Sequence, residues 1–348
     1  MKNYPQWLDE QLRLRKPAAN APMVLDLFAG CGGLALGFEA AAFHTLGYEM
    51  LPDACETYNR NLHGECRCEF LDENTDYGIK PEVIIGGPPC QPFSVGGLQM
   101  GHKDTRDGFP AYLSAVKRLR PRLAIFENVR GMFYRGLPYL EQITACLEEM
   151  GYLVECQILK AVDYGVLQRR ERLFVVAHRG HWKFPEATIS SPVTAGGAVG
   201  DLIKIMPPNP KFLTASMDTY VAKYEKASKC IRPRDLHLDQ PARTVTCRNL
   251  NGATGDMMRI DLKDGRRRRI TVREGARLQS FPDWFEFAGA EGSQYNQVGN
   301  AVPPILAKAV ANAVISYLAQ PDLTAAQLRS HRAARQKSFS FLDEIDAA

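Results

Sequence analysis

The feature that most constrains this chain is a repeated succession of short apolar runs and amphipathic stretches between residues 23 and 179. The run MVLDLF leads through a glycine-rich turn into LALGFEAAA, and EVIIGG and RLAIFENV follow later. Strands that alternate with helices predict a parallel, doubly wound α/β sheet. The runs LVECQILKA and RLFVVAH have the pattern of a hairpin, so we expect antiparallel strands at one edge and a mixed sheet overall.

A second region begins near residue 180, where this alternation fades into segments rich in proline, glycine, threonine and arginine. Periodicity returns in ILAKAVANAVISYLAQ, which predicts a helix that packs on the first region. The chain has 348 residues, of which 45% are hydrophobic, and this allows a substantial core. We expect a large domain at residues 1–179 plus 298–320, a smaller irregular domain at 180–287, a hinge at 288–297 and a tail at 321–348.

Composition excludes several classes of protein. Nine cysteines at irregular spacings predict neither a zinc framework nor a secreted disulfide scaffold, so no metal is expected and a reducing cytosol fits best. The N-terminus lacks the apolar core of a signal peptide, and no later stretch approaches the length of a membrane span. The formal net charge is +4, with basic residues clustered at 266–269 and Arg243, Arg248 and Arg259 shortly before them. Such a run is either a solvated face or a contact for nucleic acid.

The segment DLFAGCGG, which starts at Asp26, ends the first apolar run and opens the first helix. Glycines there let the backbone approach a ligand, and a helix N-terminus offers unpaired N–H groups. The glycine spacing matches neither a dinucleotide fingerprint nor a P-loop, so the segment is either another nucleotide site or a structural turn. Glu49 ends the next strand, TLGYEM, where a carboxylate can accept hydrogen bonds from both ribose hydroxyls. Together the two features favour a ligand that contains adenosine.

The segment GGPPCQPFS, with Cys90 at its centre, follows the apolar strand EVII. Its prolines and glycines restrict a loop at the C-terminal end of a strand, where open α/β sheets place ligands and chemistry. We therefore predict that Cys90 is a nucleophile rather than a small buried side chain. FENV brings Glu127 to the end of the next strand, and QRRER brings Arg170 and Arg172 to the start of RLFVVAH. A thiol, a carboxyl and two guanidiniums are therefore expected at one edge of the sheet.

Six segments, in this order, resemble the cytosine-5 DNA methyltransferases of bacterial restriction-modification systems: DLFAGCGG, GGPPCQPFS, ENVRG, QRRER, RITVREGARLQSFPDWF and QVGNAVPP. The resemblance runs from about residue 23 to residue 318. It implies a Rossmann-like, S-adenosylmethionine-dependent methyltransferase fold with a smaller target-recognition domain. The implied reaction transfers a methyl group from S-adenosylmethionine to carbon 5 of a flipped-out cytosine in a specific double-stranded DNA sequence, leaving S-adenosylhomocysteine. Carbon 5 becomes nucleophilic only after a thiolate adds to carbon 6.

The resemblance also implies a role for each candidate residue. Cys90 would be the nucleophile and Glu127 the acid that binds the cytosine, while Arg170 and Arg172 would steady the base and its loop. The implied cofactor-binding residues are Phe28, Gly30, Gly32, Gly33, Glu49, Met50, Glu69, Phe70, Pro89, Asn300, Ala301 and Val302. The implied DNA contacts are Ser94, Arg106, Arg243 and Arg248. The segment RTVTCRNLNGATGD is the expected reading segment, although the target sequence itself follows no code visible in the chain.

Several positions depart from the family's pattern. Met50 stands where a tryptophan usually contacts the adenine. Glu69 and Phe70 occupy the place of the aspartate that receives the adenine amine, and Asp72 is the competing candidate for that amine. Leu167 replaces a proline before the glutamine of QRRER. None of these changes removes a chemical step.

Three alternatives remain open at this point. A methyltransferase of the same fold could act on a tRNA cytosine, but GGPPCQPFS ends in Phe-Ser where that branch has Phe-Thr. A catalytically silent DNA-binding module would be expected to have lost Cys90, Glu127 or Arg172. A nicotinamide oxidoreductase is the generic alternative for the glycine-rich loop. For the favoured function we expect double-stranded DNA as partner, a cognate restriction endonuclease without a stable complex, a monomer, no membrane, and the bacterial cytoplasm at the nucleoid.

Overall fold

Seven strands form the main sheet of the computed structural model, which describes residues 3–89, 107–189, 194–227, 234–252, 254–324, 326–328 and 330. They are β1 Met23–Leu27, β2 His44–Glu49, β3 Glu65–Cys68, β4 Val83–Gly86, β5 Leu123–Val129, β6 Leu153–Lys160 and β8 Glu171–His178; a short β7, Gln168–Arg169, lies outside this sheet. The order across the sheet is β3-β2-β1-β4-β5-β8-β6. Strands β1 to β5 run parallel, and β8 is antiparallel to both of its neighbours. The predicted antiparallel pair at one edge is confirmed.

Helices cover both faces of this sheet. They are α1 Tyr4–Gln11, α2 Gly33–Ala40, α3 Pro52–Asn61, α4 Phe109–Leu119, α5 Leu137–Glu149, α10 Glu291–Asn300 and α11 Pro304–Leu318. Side chains of α4 and α5 join one apolar cluster, and those of the other helices join a second. Alternate residues of β1 belong to different clusters, Val24 to one and Leu25 to the other, as a parallel strand buried on both faces requires. The predicted mixed α/β sheet is confirmed.

Helix α11 packs directly on α2, although α2 starts at Gly33 and α11 only at Pro304. The end of the chain therefore returns to the first part of the fold. A Cβ at Gly37 of α2 would lie 2.4 Å from the backbone nitrogen of Lys308 in α11, so the two backbones touch. Ile305, Leu306 and Val310 of α11 are buried in the same apolar cluster as α2. Each such side chain contributes about 1.5–3 kcal/mol by its removal from water. The predicted packing of the returning helix on the first region is confirmed.

The second region consists of short elements. They are α6 Ala195–Val199, α7 Ala215–Ala227, α8 Cys247–Asn251, α9 Val272–Leu278, β9 Ala242–Arg243, β10 Arg259–Asp261 and β11 Arg267–Arg269. Single turns of 3-10 helix span Leu202–Lys204 and Thr254–Asp256 in this region. Two further turns, Arg130–Phe133 and Ala161–Tyr164, belong to the first region. Strand β9 pairs in parallel with β7, while β10 and β11 form an antiparallel pair. The pairing of β9 with β7 brings the second region into contact with the first. The predicted domain boundaries stay a prediction.

The basic run is largely paired within the protein. Arg259 forms ion pairs with Glu225 and Asp235. Arg268 pairs with Glu274 through Nη1 and Nη2 of its guanidinium. Both arginine side chains are buried. A buried cation is tolerated only with such partners, because its transfer from water is costly. The expectation of a solvated or nucleic-acid-binding run is therefore wrong for Arg259 and Arg268.

Candidate active site

Glu127 and Arg172 form an ion pair at the sheet edge where β5 ends. Arg172 Nε lies 2.7 Å from Glu127 Oε1, and the two side chains are 12% and 11% exposed. The strand register explains the pair, because Arg172 of β8 stands opposite Val129 of β5 and therefore shares a face with Glu127, two residues away. Burial lowers the pKa of Arg172, while Glu127 opposes this shift. The structure thus brings together two of the predicted catalytic residues.

Asn128 holds the loop that leads toward Cys90. Its Nδ2 donates to the carbonyl of Pro88 at 3.1 Å, and its Oδ1 accepts from the next backbone N–H at 2.8 Å. A Cβ at Gly87 would lie 3.8 Å from Glu127 Oε2, so the carboxylate lies beside the start of this loop. Sequence reasoning gave Asn128 no role. The signal that could have identified it is an amide directly after a strand-end acid, since loop carbonyls need such donors.

Three predicted site residues lie outside the described part of the chain: Cys90, Ser94 and Arg106. The flanking residues are described, and Gly108 N donates to the carbonyl of Pro89 at 3.1 Å. A Cβ at Gly108 would lie 2.5 Å from Pro89 Cδ and 2.8 Å from Phe28 Cζ. Pro89 and Phe28, both predicted to contact the cofactor, therefore adjoin the same glycine.

Arg170 is bound by backbone carbonyls rather than by Glu127. Its guanidinium donates to the carbonyls of Val245 at 2.6 Å, Ala301 at 2.9 Å and Gly299 at 3.3 Å. Burial, and after it the neighbouring Arg172, lowers the pKa of Arg170. Arg170 thus ties the segment before α8 to the turn between α10 and α11.

The glycine-rich loop after β1 leaves room for a ligand at one position and packs tightly at two others. Gly30 and Gly32 have φ values of +56° and +85°, which glycine adopts without strain. A Cβ at Gly30 would meet no atom of the described residues within 4 Å, whereas one at Gly32 would lie 2.8 Å from Tyr58 Cδ2. A Cβ at Gly33 would lie 2.5 Å from the carbonyl of Val302. The open space is therefore beside Gly30.

Asn300, Ala301 and Val302 lie where α10 ends and α11 follows, against the glycine-rich loop. Besides the Val302 contact, a Cβ at Gly33 would lie 3.2 Å from Ala301 Cβ. Gln279 fixes this turn, since its Nε2 donates to the carbonyl of Ala301 at 3.2 Å. The structure therefore brings Ala301 and Val302 together with the loop, and Asn300 directly precedes them at the end of α10.

Glu49 ends β2 beside the open space at Gly30. Its Oε2 accepts from Gly30 N at 2.9 Å, and its Oε1 accepts from Leu51 N at 2.8 Å. Each carboxylate oxygen keeps a further acceptor site after these bonds. Glu69 N donates to the carbonyl of Glu49 at 3.0 Å, so the ends of β2 and β3 adjoin. These bonds hold Glu49 in place without exhausting its capacity to bind hydroxyl groups.

Large apolar side chains are exposed beside Glu49. Met50 and Phe70 are 57% and 67% exposed, and Leu51 is 56% exposed. Exposed apolar groups grouped at the end of two strands are typical of a binding site. Asp72, the competing candidate for the adenine amine, instead accepts from Asn74 N at 2.8 Å within its own turn. Asp72 Oδ1 is thus engaged locally, and the choice between the Glu69–Phe70 position and Asp72 stays a prediction.

Asp26 is a buried carboxyl that sequence reasoning did not select. It is 1% exposed, and neither of its oxygens has a hydrogen-bond partner within the described ranges. Burial, and after it the charge of Glu49, raises the pKa of Asp26 to about 8. A buried polar group without a partner is costly unless a ligand completes it. The signal that could have found it is a single acid inside the apolar run MVLDLF.

The two described DNA-contact candidates lie around Asp256. Arg243 Nη1 is 2.9 Å from Asp256 Oδ1, and Arg248 Nε is 3.6 Å from Asp256 Oδ2. The Arg248 side chain is 72% exposed, whereas that of Arg243 is partly covered. Both therefore belong to one group of charges.

Other reactive or ligand-binding groups are limited in the described part of the chain. Burial raises the pKa of Cys31 to about 12 and also raises that of Cys55, so neither thiol suits a nucleophile. No group of three or more His, Cys, Asp or Glu side chains there could hold a metal ion. No single described helix has the length and hydropathy of a membrane span, although the bent pair α10 and α11 passes that test jointly.

Comparison with known proteins identifies the family. Residues 23–316 match the family of C-5 cytosine-specific DNA methylases. This chain belongs to that family. A similar relative is the type II methyltransferase M.AplI of Arthrospira platensis, which is 58% identical over 313 residues, or 90% of this chain and 91% of the relative. The type II methyltransferase M.NgoMIV of Neisseria gonorrhoeae is 34% identical over 310 residues, or 84% and 97% of the two chains.

Solved structures agree on the fold. The methyltransferase EhMeth of Entamoeba histolytica has a TM-score of 0.64 at 17% identity and covers 85% of this chain and 98% of its own. A DNMT2 mutant of Spodoptera frugiperda has a TM-score of 0.65 at 15% identity and covers 85% and 100%. The family match confirms the predicted DNA (cytosine-5) methyltransferase activity, and the DNA assignment prevails over the tRNA alternative.

Proposed function

We propose that this DNA methylase uses S-adenosylmethionine to methylate carbon 5 of a cytosine in a specific double-stranded sequence, with Cys90 as the nucleophile. The observation that carries the proposal is the Glu127–Arg172 pair, because Glu127 lies beside Gly87 at the start of the loop that contains Cys90. Relatives named type II methyltransferases support a role beside a cognate restriction endonuclease, without a stable complex.

The residues at the ends of β1 and β2 suit S-adenosylmethionine. Glu49 keeps acceptor sites for ribose hydroxyls, and the exposed Met50 and Phe70 suit a flat apolar base. The partnerless carboxyl of Asp26 suits a ligand that carries an ammonium and a sulfonium. When bound, this cofactor supplies an electrophilic methyl group and becomes S-adenosylhomocysteine. The other residues proposed to hold it are Phe28, Gly30, Gly32, Gly33, Glu69, Pro89, Asn300, Ala301 and Val302.

The chain's own residues prepare the cytosine for methylation. The Cys90 thiolate adds to carbon 6, which gives carbon 5 the enamine character that it needs to attack the methyl group. Glu127 binds N3 and the exocyclic amine, and Arg172 binds O2, so both stabilise the charge that develops during the addition. Arg170 steadies the surrounding segments. Loss of the carbon 5 proton and of the Cys90 thiolate then restores the aromatic ring.

The target cytosine reaches Cys90 only outside the duplex stack, at a cost of a few kcal/mol. Contacts from residues 180–287, as target-recognition domain, and from the catalytic domain at 1–179 plus 298–320 would offset this cost. Residues 288–297 would act as the hinge and 321–348 as a separate tail. The proposed DNA contacts are Ser94, Arg106, Arg243 and Arg248. We further propose that the enzyme acts as a monomer in the bacterial cytoplasm, at the nucleoid.

Bisulfite sequencing of a plasmid from cells that express the chain tests this function, because it reports both methylation and target site. We expect protected cytosines at one sequence. Cys90→Ser should abolish the protection, and Cys146→Ser, on α5, should retain it. Methylation that survives in Cys90→Ser would overturn the proposed mechanism. Purified protein should also bind S-adenosylhomocysteine in preference to NAD.

A further inference from the structure

Asp256 is shared by three arginines. Arg234 Nη1 lies 2.7 Å from Asp256 Oδ1, Arg243 Nη1 lies 2.9 Å from the same oxygen, and Arg248 Nε lies 3.6 Å from Oδ2. One carboxylate can neutralise only one guanidinium, and both Arg243 and Arg248 share that of Asp256, so the group, which we call the Asp256 cluster, carries excess positive charge. The cluster comprises Asp256, Arg234, Arg243 and Arg248.

Neighbouring arginines differ from this cluster in charge balance. Arg259 and Arg267 are surrounded by three carboxylates, those of Asp218, Glu225 and Asp235. Arg259 is fully buried among its partners and is not available to a ligand, whereas the Arg248 side chain of the Asp256 cluster is 72% exposed.

Two more arginines provide examples of balanced pairs. Arg268 pairs with Glu274, and Arg266 pairs with Asp264. The Arg266 side chain is 56% exposed, so DNA can reach it too. Exposure alone therefore does not distinguish Arg248 from Arg266. The charge left without a carboxylate does.

The cluster is held in a fixed arrangement on its inner side. Arg243 Nη2 also donates to the backbone carbonyl of Asp256. Arg234 lies over the Tyr224 ring at 4.7 Å and donates to the Tyr224 hydroxyl at 3.0 Å. A Cβ at Gly255 would lie 2.9 Å from the same ring, so the turn that carries Asp256 rests on α7. Arg234 and Arg243 are thus oriented before any ligand arrives, while Arg248 extends into solvent.

We infer that the Asp256 cluster is a binding site for a phosphate group of the DNA backbone, with Arg248 as the arm that contacts it. A phosphate supplies the negative charge that the single carboxylate lacks, and guanidinium forks bind phosphate oxygens well. The inference rests on the proposed function only in taking double-stranded DNA as the substrate. It adds Arg234 and Asp256 to the DNA-binding surface and assigns Arg248 to the backbone rather than to a base edge.

The test measures the DNA affinity of the full chain at a series of salt concentrations by fluorescence anisotropy. One duplex contains the sequence that the enzyme methylates, and the other lacks it. Each phosphate contact contributes about −0.9 to the slope of log K against log salt concentration. Arg248→Gln should flatten that slope by about one such contact on both duplexes. Arg266→Gln, the matched control with a balanced partner, should leave the slope unchanged.

Asp256→Asn separates a phosphate site from a purely structural cluster. Asparagine keeps a side-chain oxygen that can accept from Arg234 and Arg243, but it removes the only negative charge of the cluster. A phosphate site predicts tighter binding to both duplexes with a steeper salt slope. A structural cluster predicts unchanged or weaker binding, and that result would overturn the inference, as would an Arg248→Gln slope equal to that of the unsubstituted protein.

Two further outcomes are decisive. If Arg248→Gln weakens binding only to the duplex with the methylated site and leaves the salt slope intact, Arg248 reads a base and the phosphate assignment is wrong. Bisulfite sequencing of the unsubstituted protein's plasmid distinguishes this failure from that of the proposed function. If methylation is present and Arg248→Gln leaves the salt slope unchanged, only the phosphate site is wrong. If methylation is absent as well, the proposed function is also wrong.

Discussion

The ion pair Glu127–Arg172 and the ion pair Glu274–Arg268 have the same chemistry and different surroundings. Glu274 accepts from both guanidinium nitrogens of Arg268, at 2.6 and 2.9 Å, and also from the backbone and hydroxyl of Thr271. Its side chain is 2% exposed. Glu127 contacts Arg172 through Oε1, while its Oε2 lies beside Gly87 at the start of the loop that leads toward Cys90.

The difference separates a carboxylate whose acceptor sites the chain itself fills from one that lies beside the loop after β4. The acceptor sites of Glu274 are filled from within the chain, so its charge stabilises α9 and β11 and nothing else. Glu127 retains acceptor capacity next to the loop after β4, where a substrate group can use it. Substitutions of the first should therefore change stability, and substitutions of the second should change activity.

The largest effect is expected for Glu127→Gln. The substitution keeps the size of the side chain but removes the charge that assists addition to the cytosine, so methylation should fall about 10²–10⁴-fold. Radioactive methyl transfer to the identified target duplex measures this loss. Glu155→Gln, on β6 and paired with His178, is the matched control and should keep full activity. A Glu127→Gln enzyme that is unfolded rather than inactive would remove the contrast between the two pairs.

Glu274→Gln should reverse that pattern. It leaves Arg268 buried without a counter-charge, which costs about 3–5 kcal/mol of the free energy of unfolding. Urea denaturation followed by circular dichroism measures the change, and Asp264→Asn, in an exposed pair, should cost at most about 1 kcal/mol. Equal costs for the two variants would show that the burial of Arg268 does not matter.

Gly299→Ala tests the junction between the two regions. A Cβ at Gly299 would lie 2.0 Å from the backbone nitrogen of Cys247, so α10 and α8 would have to separate. We expect a loss of about 1–3 kcal/mol in the free energy of unfolding, as for other overpacked sites. Gly131→Ala is the control, because among the described residues its Cβ would meet only Val129, at 4.0 Å. Thermal denaturation of both variants decides the point, and equal stability would contradict a close junction.

The last prediction concerns Asp26 and pH. Because its pKa in the folded chain is raised to about 8, the folded state keeps a proton that the unfolded state has already released. The free energy of unfolding should therefore decrease as pH rises between about 5 and about 8, by on the order of 1 kcal/mol per pH unit from this group.

Asp26→Asn removes this dependence, so the variant should gain stability relative to the unsubstituted protein as pH rises. Urea denaturation without cofactor, repeated across this pH range, measures the difference, with Asp72→Asn as the control for loss of an exposed carboxylate. A constant difference between Asp26→Asn and the unsubstituted protein would show that Asp26 does not titrate there.

The sequence predicted the parts of the site that strand order alone positions. Glu49 and Glu127 lie at or near the C-terminal ends of parallel strands, and Arg172 lies near the start of antiparallel β8, so strand order brings all three to one edge. The mixed sheet and the packing of the returning helix on the first region followed in the same way from apolar periodicity. These predictions needed no knowledge of side-chain contacts.

Other features depend on contacts between segments far apart in sequence. Arg170 binds the carbonyls of Val245 and Ala301, and no local pattern indicates such partners. The basic run was misjudged because its partners lie on other elements: Asp235 pairs with Arg259 from 24 residues away, and Glu274 pairs with Arg268 from the helix that follows. Charge balance in three dimensions, rather than the number of arginines in a run, distinguishes structural cations from those available to DNA.

The central claim is that Cys90 bonds covalently to a cytosine that has left its helix. A duplex with 5-fluorocytosine at the methylated position, incubated with enzyme and S-adenosylmethionine, tests it directly because fluorine blocks the loss of the carbon 5 substituent. We predict a complex stable to denaturant, with the adduct on the peptide that contains Cys90 and none in Cys90→Ser. An unsubstituted enzyme that methylates ordinary DNA but forms no such adduct, or forms it on another cysteine, would contradict the account.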